Sequence, residues 1–415
     1  MAKALVIGAG MVGLSTAWHL QEYGYDVEVL DRVGVAAGSS WGNAGWLAPG
    51  KTIPLSNRSL WAYGPTALFS RHAALHVPIR IDPALWAFVA EFMAHATTRA
   101  WDNTMAHLTP ADMGALAAFD ELIAGGVEAE THRDPFIIGF ENDAQAAGFL
   151  EEVEGATRHG QDIPFERIDL DEARHHAPML SDKVRTIYRM GGQRFIAPGA
   201  FCRAIADDVE RRGGRITTGA EVVKVTSTRV PAVRLATGEW LSADAVVIAT
   251  GAWMPKLARE LGVTTRVQAG RGYSFSVETA EPATCAVYLP HTKVACTPYE
   301  GRFRVAGTME FRGPDEAFQP GRVDSIVHNT APLFRGVDWD TRRDEWVGSR
   351  PVTPDGLPLV GATKVPNVYV NGGHGMWGIV LGPISGKLLA KNIATGEVDD
   401  VIRPFNPLRG AFSGI

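Results

Sequence analysis

Cysteine is scarce in this chain. Cys202, Cys285 and Cys296 are the only three in 415 residues, scattered and without a CxxC pair. An odd, dispersed set excludes a disulfide framework or zinc site as the organising device and fits a reducing compartment. Buried small hydrophobes are the ordinary reading of all three. Long apolar runs are also missing. No window holds about 20 apolar residues in succession, so no membrane-spanning helix is expected. The first strand begins at Lys3, which leaves no room for a secretion leader, and a cytoplasmic chain is the expectation. Positive charge is not in excess. Lys and Arg total 40 against 46 Asp and Glu, a formal net charge of −6, so no nucleic-acid partner is expected. There is no tandem repeat, no low-complexity segment and no second pyridine-nucleotide motif.

What remains is the balance of a folded globular protein, 46% hydrophobic and 21% charged. At this length two domains are expected, interleaved or consecutive.

The N-terminus reads as a βαβ unit. Ala4–Ile7 is a buried strand, Gly8-Ala9-Gly10-Met11-Val12-Gly13 a turn, Leu14–Tyr23 a helix stopped at Gly24, and Asp26–Leu30 a second strand. In a Gly-x-Gly-x-x-Gly turn the first glycine permits the tight bend. The second admits a pyrophosphate to the backbone, and the third lets helix pack on strand. The helix N-terminus then offers free N–H groups and the positive end of its dipole. Asp31 stands at the tip of the next strand, placed to accept from an adenosine ribose and to repel a 2′-phosphate. A ligand-free glycine turn is the competing reading.

Further along, apolar spacing is helical over Pro83–Ala100 and again over Pro110–Ala124. Pro135–Phe140 and Val184–Met190 read as strands, Ala144–Glu154, Asp171–His176 and Pro198–Arg212 as helices. Arg215–Thr217 and Glu221–Val225 resemble strands, and a hairpin is expected around Thr237-Gly238-Glu239. Asp244–Thr250 is apolar throughout, as in a strand buried on both faces of a parallel sheet. Residues 266–312 alternate in several short strands, mostly antiparallel. Val365–Ala394 returns to strand, glycine-rich turn and helix. The late strand ending in Ala249-Thr250-Gly251, more than 200 residues after the first, brings backbone to a second part of a dinucleotide. NAD enzymes usually keep their dinucleotide fold compact, so FAD is favoured.

Four stretches carry a family resemblance. They are Val6–Gly13 with Asp31; Gly38-Ser39-Ser40-Trp41-Gly42-Asn43-Ala44-Gly45; Ala249-Thr250-Gly251-Ala252-Trp253; and Gly348-Ser349-Arg350-Pro351-Val352-Thr353-Pro354-Asp355-Gly356 followed by Gly372–Gly378. With these in place the chain resembles, over nearly its whole length, the D-amino-acid dehydrogenase and glycine oxidase group of flavoproteins. The resemblance implies an α/β fold: a glutathione-reductase-like FAD-binding Rossmann domain with an inserted α+β substrate domain on a mixed, mostly antiparallel sheet. The expected division is 1–56, 191–262 and 345–415 for the FAD domain, and 57–190 and 263–344 for the substrate domain. It implies hydride transfer from a substrate Cα–H to flavin N5. The imino acid would hydrolyse to an oxo acid and ammonia or an amine. The substrate would be a D-amino acid, glycine or an N-substituted glycine. In related sarcosine oxidases a cysteine near the Arg350 segment holds the flavin. Gly348 occupies the matching place, so noncovalent FAD is expected.

The FAD contacts implied are Gly8, Gly10, Met11, Val12, Gly13, Asp31, Arg32, Ser39, Ser40, Asn43, Ala44, Gly45, Trp46, Leu47, Val223, Thr250, Gly251, Trp253, Gly373, His374, Gly375, Met376 and Gly378. Independently, Val368–Asn371 reads as a strand and a helix begins at Ile379, so its N–H groups would face the electron-rich end of a reduced flavin.

For substrate, Arg350 is the leading candidate, because a guanidinium fork fits a carboxylate. The competing reading pairs it with Asp355. Tyr273 is a second candidate, for bonding substrate or closing the site, against a core tyrosine with a satisfied hydroxyl. Glu310 and Arg312 share a face by period two and read as an ion pair or as substrate contacts. Trp46 and Ala48 are expected near the flavin ring, with plain packing of the indole as the competitor. His374 is a candidate for contact with flavin or substrate and, less readily, for general base. The aromatic stretch 57–107 reads either as core helices or as a surface for a membrane or an electron-accepting partner, since dehydrogenases of this group are often peripherally membrane-bound.

Two other functions compete. A flavin hydroxylase needs a reductant site, for which no second motif exists. A flavin-bearing subunit of a hetero-oligomeric amine or opine oxidoreductase would need a partner chain. The electron acceptor, oxygen or a quinone or electron-transfer partner, and the oligomeric state leave no motif.

Overall fold

A computed structural model describes residues 1–70, 72–227 and 229–410. Two sheets organise the chain. The first has six strands, in the order Leu359–Ala362, Val368–Gly372, Ala245–Ile248, Lys3–Ile7, Asp26–Asp31 and Arg215–Thr218. All its pairings are parallel except that between Leu359–Ala362 and Val368–Gly372. Ala245–Ile248 is buried at every residue, which is why its sequence shows no alternation.

The second sheet has nine strands and is mostly antiparallel. Its central members are long: Gln268–Thr279, Arg302–Phe311 and Val337–Val352. Of the short strands expected over 266–312, Val287–Leu289 and Val294–Tyr299 are short, whereas Gln268–Thr279 and Arg302–Phe311 are long, because bulges at Gly272/Tyr273 and beyond Ser274 let strands bend without ending. Every strand of the six-stranded sheet falls in 1–56, 191–262 or 345–415. Val337–Val352 runs through the 344/345 boundary and ties the two sheets together.

Helix boundaries differ where caps intervene. The Pro83–Ala100 helix ends at Ala94, and a new helix runs from Thr98 to Ala124, straight through Pro110. Asp82 and Thr97 cap the two starts by accepting from Leu85 and Ala100 N–H. Packing on the Gly378–Thr395 helix, where Gly114 meets Ile384, holds the longer helix through its proline. The aromatic stretch divides. Phe88 and Phe92 stack in the core with Phe311, whereas Trp61 and Phe69 on the Leu60–Phe69 helix are exposed. No helix among the described residues is long and apolar enough to cross a membrane. All three cysteines are free and buried. Burial pushes the Cys202 and Cys285 thiols up to about 12, so they stay protonated.

Candidate active site

The dinucleotide turn has the steric features its sequence requires. Gly8 has φ +114°, and a Cβ there would lie 2.5 Å from the Ala249 carbonyl oxygen. A Cβ on Gly13 would overlap the Gly8 carbonyl, so helix Met11–Glu22 can approach only a glycine. Gly10 caps this helix with no side-chain acceptor, leaving first-turn N–H groups of Val12 and Gly13 for a ligand, while Met11 N–H donates to Ser40 Oγ at 3.2 Å. The Gly378–Thr395 helix lies against it. Gly382 packs on Met11, and a Cβ on Gly386 would come within 2.8 Å of Thr16 N. Its start at Trp377 likewise has no side-chain cap. Two uncapped positive helix ends therefore stand side by side, an arrangement suited to a pyrophosphate and an electron-rich ring. Thr250 Oγ1, at the end of the late strand beside Gly251, is buried without a partner. The chain fits FAD at these positions.

Other expected cofactor positions are held by the chain itself. Asp31 accepts from Ala9 N at 2.9 Å and from Val33 and Gly34 N at 2.8 and 2.9 Å. It thereby fixes the glycine turn and the loop that follows Asp31 against each other. Val223 is exposed beyond that strand, where Asp31 O accepts from Ala220 N. Arg32 stacks on Trp253, 4.3 Å above its ring, and both donate to Asp315. Lys256 adds a third bond. Burial alone would raise the Asp315 carboxyl, but these donors hold it down at about 2. Asp315 lies on the loop after strand Arg302–Phe311, so this cluster ties the nine-stranded sheet to the loops that follow Asp26–Asp31 and Ala245–Ile248 of the six-stranded one. Sequence gave no signal for it.

The Ser39–Leu47 loop is anchored to the second sheet. Ser39 Oγ donates to Ser349 O, Ser274 Oγ to Gly42 O at 2.7 Å, and Thr297 Oγ1 to Ala44 O at 2.7 Å. Asn43 Oδ1 accepts from Gly45 N. Trp46 Nε1 donates to Thr297 Oγ1, and its indole sits 4.9 Å from Phe136 and 5.3 Å from Tyr288. Leu47 and Ala48 are buried.

Strand register decides which candidates meet. Gly270 pairs with Arg350, Gly272 with Gly348 and Ser274 with Trp346, so these side chains share one face. The Arg350 guanidinium lies over Gly272, where any Cβ would overlap it. Arg350 is half-buried, and burial alone pulls its pKa down to about 10. No carboxylate among the described residues pairs with it. Asp355, its expected structural partner, is instead forked by Arg409 at 2.7 and 3.0 Å.

Tyr273, Arg271 and Glu310 occupy the opposite face. Tyr273 is fully buried and donates to Glu310 Oε1 at 2.5 Å. Glu310 also receives Arg312 Nε at 2.8 Å, with Arg271 at 3.8 Å. For Tyr273, Glu310 and Arg312 the substrate reading gives way to the other one offered for each, a tyrosine with a satisfied hydroxyl and an ion pair, joined in one polar network on that face. His374 is corrected as well. Its imidazole is buried, Nε2 lies 3.1 Å from Ser385 Oγ, and burial lowers its pKa to about 3. Its side chain packs against the Gly378–Thr395 helix through Ser385, and the Gly373–Met376 backbone leads into the start of that helix. Gly375 N–H donates to Pro351 O at 2.9 Å, tying that turn to the Arg350 strand. A surface groove of about 640 Å³ between Glu278–Ala280 and Gly336–Asp340 lies at the far end of these strands and touches none of this machinery.

Comparison with known proteins agrees with the geometry. The family of FAD dependent oxidoreductases designated DAO matches residues 3–392. A D-amino acid dehydrogenase of Rhizorhabdus wittichii is 30% identical over 405 residues, covering 94% of this chain and 95% of that relative. One from Xanthobacter autotrophicus is 30% identical over 412 residues, 96% of each. Among solved structures, the glycine oxidase of Geobacillus kaustophilus superposes with TM-score 0.74 at 20% identity, over 99% of this chain and 100% of that one. The chain belongs to the DAO family of FAD dependent oxidoreductases.

Proposed function

We propose that this chain oxidises the Cα–N bond of a small amino acid (a D-amino acid, glycine or an N-substituted glycine) and that Arg350 grips the substrate carboxylate. One observation carries the reading: a guanidinium on the glycine-lined face of the sheet has no carboxylate of its own, while Asp355 is committed to Arg409. A planar fork matches a carboxylate through two parallel bonds. The relatives named D-amino acid dehydrogenase and the glycine oxidase likeness support the same substrate class.

Bound FAD supplies the two-electron acceptor for the Cα–H bond. The chain binds and orients. Arg350 fixes the carboxylate, Gly270 and Gly272 leave space beneath it, and Trp46 and Tyr288 wall the same face. His374 is held neutral against Ser385, and Tyr273 is engaged with Glu310, so neither takes the proton of the amine. The substrate therefore enters as the free amine, and the imino acid hydrolyses in water. FAD is noncovalent in this reading, because Gly348 offers no nucleophile and its Cα lies under the Trp346 indole. The test is anaerobic mixing of the isolated holoprotein with D-amino acids, glycine, sarcosine and hydroxyproline. Bleaching of the flavin by at least one is expected, and bleaching by none overturns the proposal in favour of a subunit that needs a partner chain.

A second observation favours transfer of electrons to a quinone or a membrane-bound partner over oxygen. Trp61, Phe69, Ile79 and Ile81 are exposed on or near the Leu60–Phe69 helix. Large apolar side chains left exposed within one short stretch of chain suit a contact surface. Co-sedimentation with anionic liposomes, lost in a Trp61→Ser/Phe69→Ser variant, is the expected result, and equal behaviour of both proteins overturns it.

A further inference from the structure

Arg304 is a fully buried cation without a carboxylate. It is 1% exposed, and among the described residues no acid forms an ion pair with it. Asp344 and Glu300 act on it only from further off, and Asp344 is engaged by Ser276 Oγ at 2.7 Å. Its Nε has no partner either, so the burial is costly. Aromatic rings surround it instead. The guanidinium carbon lies 4.9 Å from the Trp41 ring and 4.7 Å from the Tyr299 ring, and the Tyr299 hydroxyl accepts one of its N–H groups.

Register places this cation on the face that carries Arg350. Arg304 pairs with Ser276 on one side and Thr297 on the other, and Ser274, two residues from Ser276, pairs with Trp346. Arg304 Nη1 donates to Ser274 Oγ at 3.2 Å. A guanidinium can only donate, so the single hydroxyl proton of Ser274 is directed onward, to Gly42 O at 2.7 Å. Thr297 repeats the pattern beside it, accepting from Trp46 Nε1 at 2.9 Å and donating to Ala44 O at 2.7 Å. Two donor chains thus hold the Gly42 and Ala44 carbonyls against the sheet. A Cβ on Gly199 would lie 2.6 Å from the Trp41 indole, so that ring fills the space between Arg304 and the start of helix Pro198–Arg211.

The segment so held joins the two ends of the FAD site. At Ser40 it meets the dinucleotide helix, where Oγ accepts from Met11 N–H. At Gly42 it meets the Arg350 strand, since a Cβ on Gly42 or on Gly348 would overlap the same Trp346 indole. A cofactor whose pyrophosphate rests at Met11 and whose ring meets a substrate on Arg350 runs along this segment.

We propose that Arg304 is a positioning residue for the flavin half of FAD, acting through Ser274 and Trp41 on the segment from Trp41 to Leu47. The location of the flavin half rests on the Arg350 reading. A charged donor suits the position, because it leaves the Ser274 hydroxyl no direction but Gly42 O.

The experiment is displacement of FAD from the holoprotein by ADP, read as flavin released into a filtrate, in wild type, Arg304→Met, Ser274→Ala and the double variant. ADP shares the adenosine and pyrophosphate of FAD and lacks the flavin half. The ADP-to-FAD ratio at half displacement therefore reads the flavin half and cancels a general loss of fold. Methionine keeps packing on the two rings but neither donates nor carries charge. The ratio is expected to fall about tenfold in Arg304→Met, to fall also in Ser274→Ala, and to fall in the double variant by less than the product of the two, because both residues act in one chain. An unchanged ratio in Arg304→Met, or a double variant that reaches the full product, overturns the assignment. Ser274→Ala removes one hydroxyl only and decides the matter if Arg304→Met yields no holoprotein: an unchanged ratio there overturns it as well. No substrate enters the measurement. An unchanged ratio strikes Arg304 and leaves Arg350, whereas a lowered ratio without bleaching by any amino acid strikes the Arg350 reading and leaves Arg304.

Discussion

Arg409 forks the Asp355 carboxylate with bonds of 2.7 and 3.0 Å, although the two residues are 54 positions apart in sequence. Both are nearly buried in the ion pair. Burial would raise the Asp355 carboxyl, and the Arg409 guanidinium outweighs it and holds it below the usual range. The consequence reaches Arg350. The one aspartate its own segment supplies is already taken, so its fork stays free for a ligand.

Removing Arg409 should therefore be costly. Arg409→Ala leaves a buried carboxylate uncompensated, and a loss of about 3–5 kcal/mol is expected in chemical denaturation. Because the folded Asp355 pKa is depressed, the pair's contribution is present above the ordinary carboxylate value near 3.9 and is lost as pH falls below it. An Arg409→Met/Asp355→Leu double variant should recover a large part of the loss. Equal stability of Arg409→Ala and wild type would count against the pair.

Gly272 is the floor of the Arg350 position. Gly272→Ala places a Cβ where the guanidinium lies, and the strand cannot yield, since Gly272 is paired on both sides. A fall of about tenfold or more in kcat/KM is expected with FAD content unchanged, because a displaced fork misses its carboxylate. Unaltered kinetics would show that Arg350 does not need this seat.

The pH dependence follows from His374 being neutral throughout the working range, its pKa near 3 by burial. The ascending limb of kcat/KM should move with the amine pKa across a substrate series. A limb that stays near 6.5, the ordinary imidazole value, for every substrate would restore His374 as a base.

Asp112 is fully buried in the Thr98–Ala124 helix. Burial pushes its carboxyl well up, against bonds from Thr52 and Gln161. A folded pKa raised above the unfolded one means that stability is full at low pH and declines as pH climbs above about 4. Asp112→Asn should flatten that decline, with a Tm at about pH 8 equal to or above wild type in a scan from about pH 5 to about pH 9. A steeper decline in the variant would show that Asp112 is ionised in the fold.

The legible part of the fold was local. Gly8, Gly10 and Gly13 followed by a helix, the apolar Ala245–Ile248 strand and the Gly372–Gly378 turn each declare their conformation within a few residues. The helix break at His95–Thr97 depended on the Thr97 cap, outweighed in the sequence by apolar spacing around it. For Tyr273 and Glu310 two readings stood open in the sequence, because alternation gives a shared face but not which face is buried, and their mutual hydrogen bond decides it. Arg409 and Asp315 gave no signal, since their partners come from distant segments. Arg350 was legible as a residue type in a family segment. That it is unpaired became visible only once Asp355 had its fork.

The central claim is that Arg350 holds the substrate carboxylate, and anaerobic titration of the flavin tests it most directly. Wild type and Arg350→Ala, loaded with FAD to the same content, are titrated with the best substrate of the panel while the flavin absorbance is followed. The account predicts that the variant stays yellow until the amino acid is raised about 100-fold or more, because both bonds of the fork are lost. Bleaching of both proteins at the same concentration contradicts it.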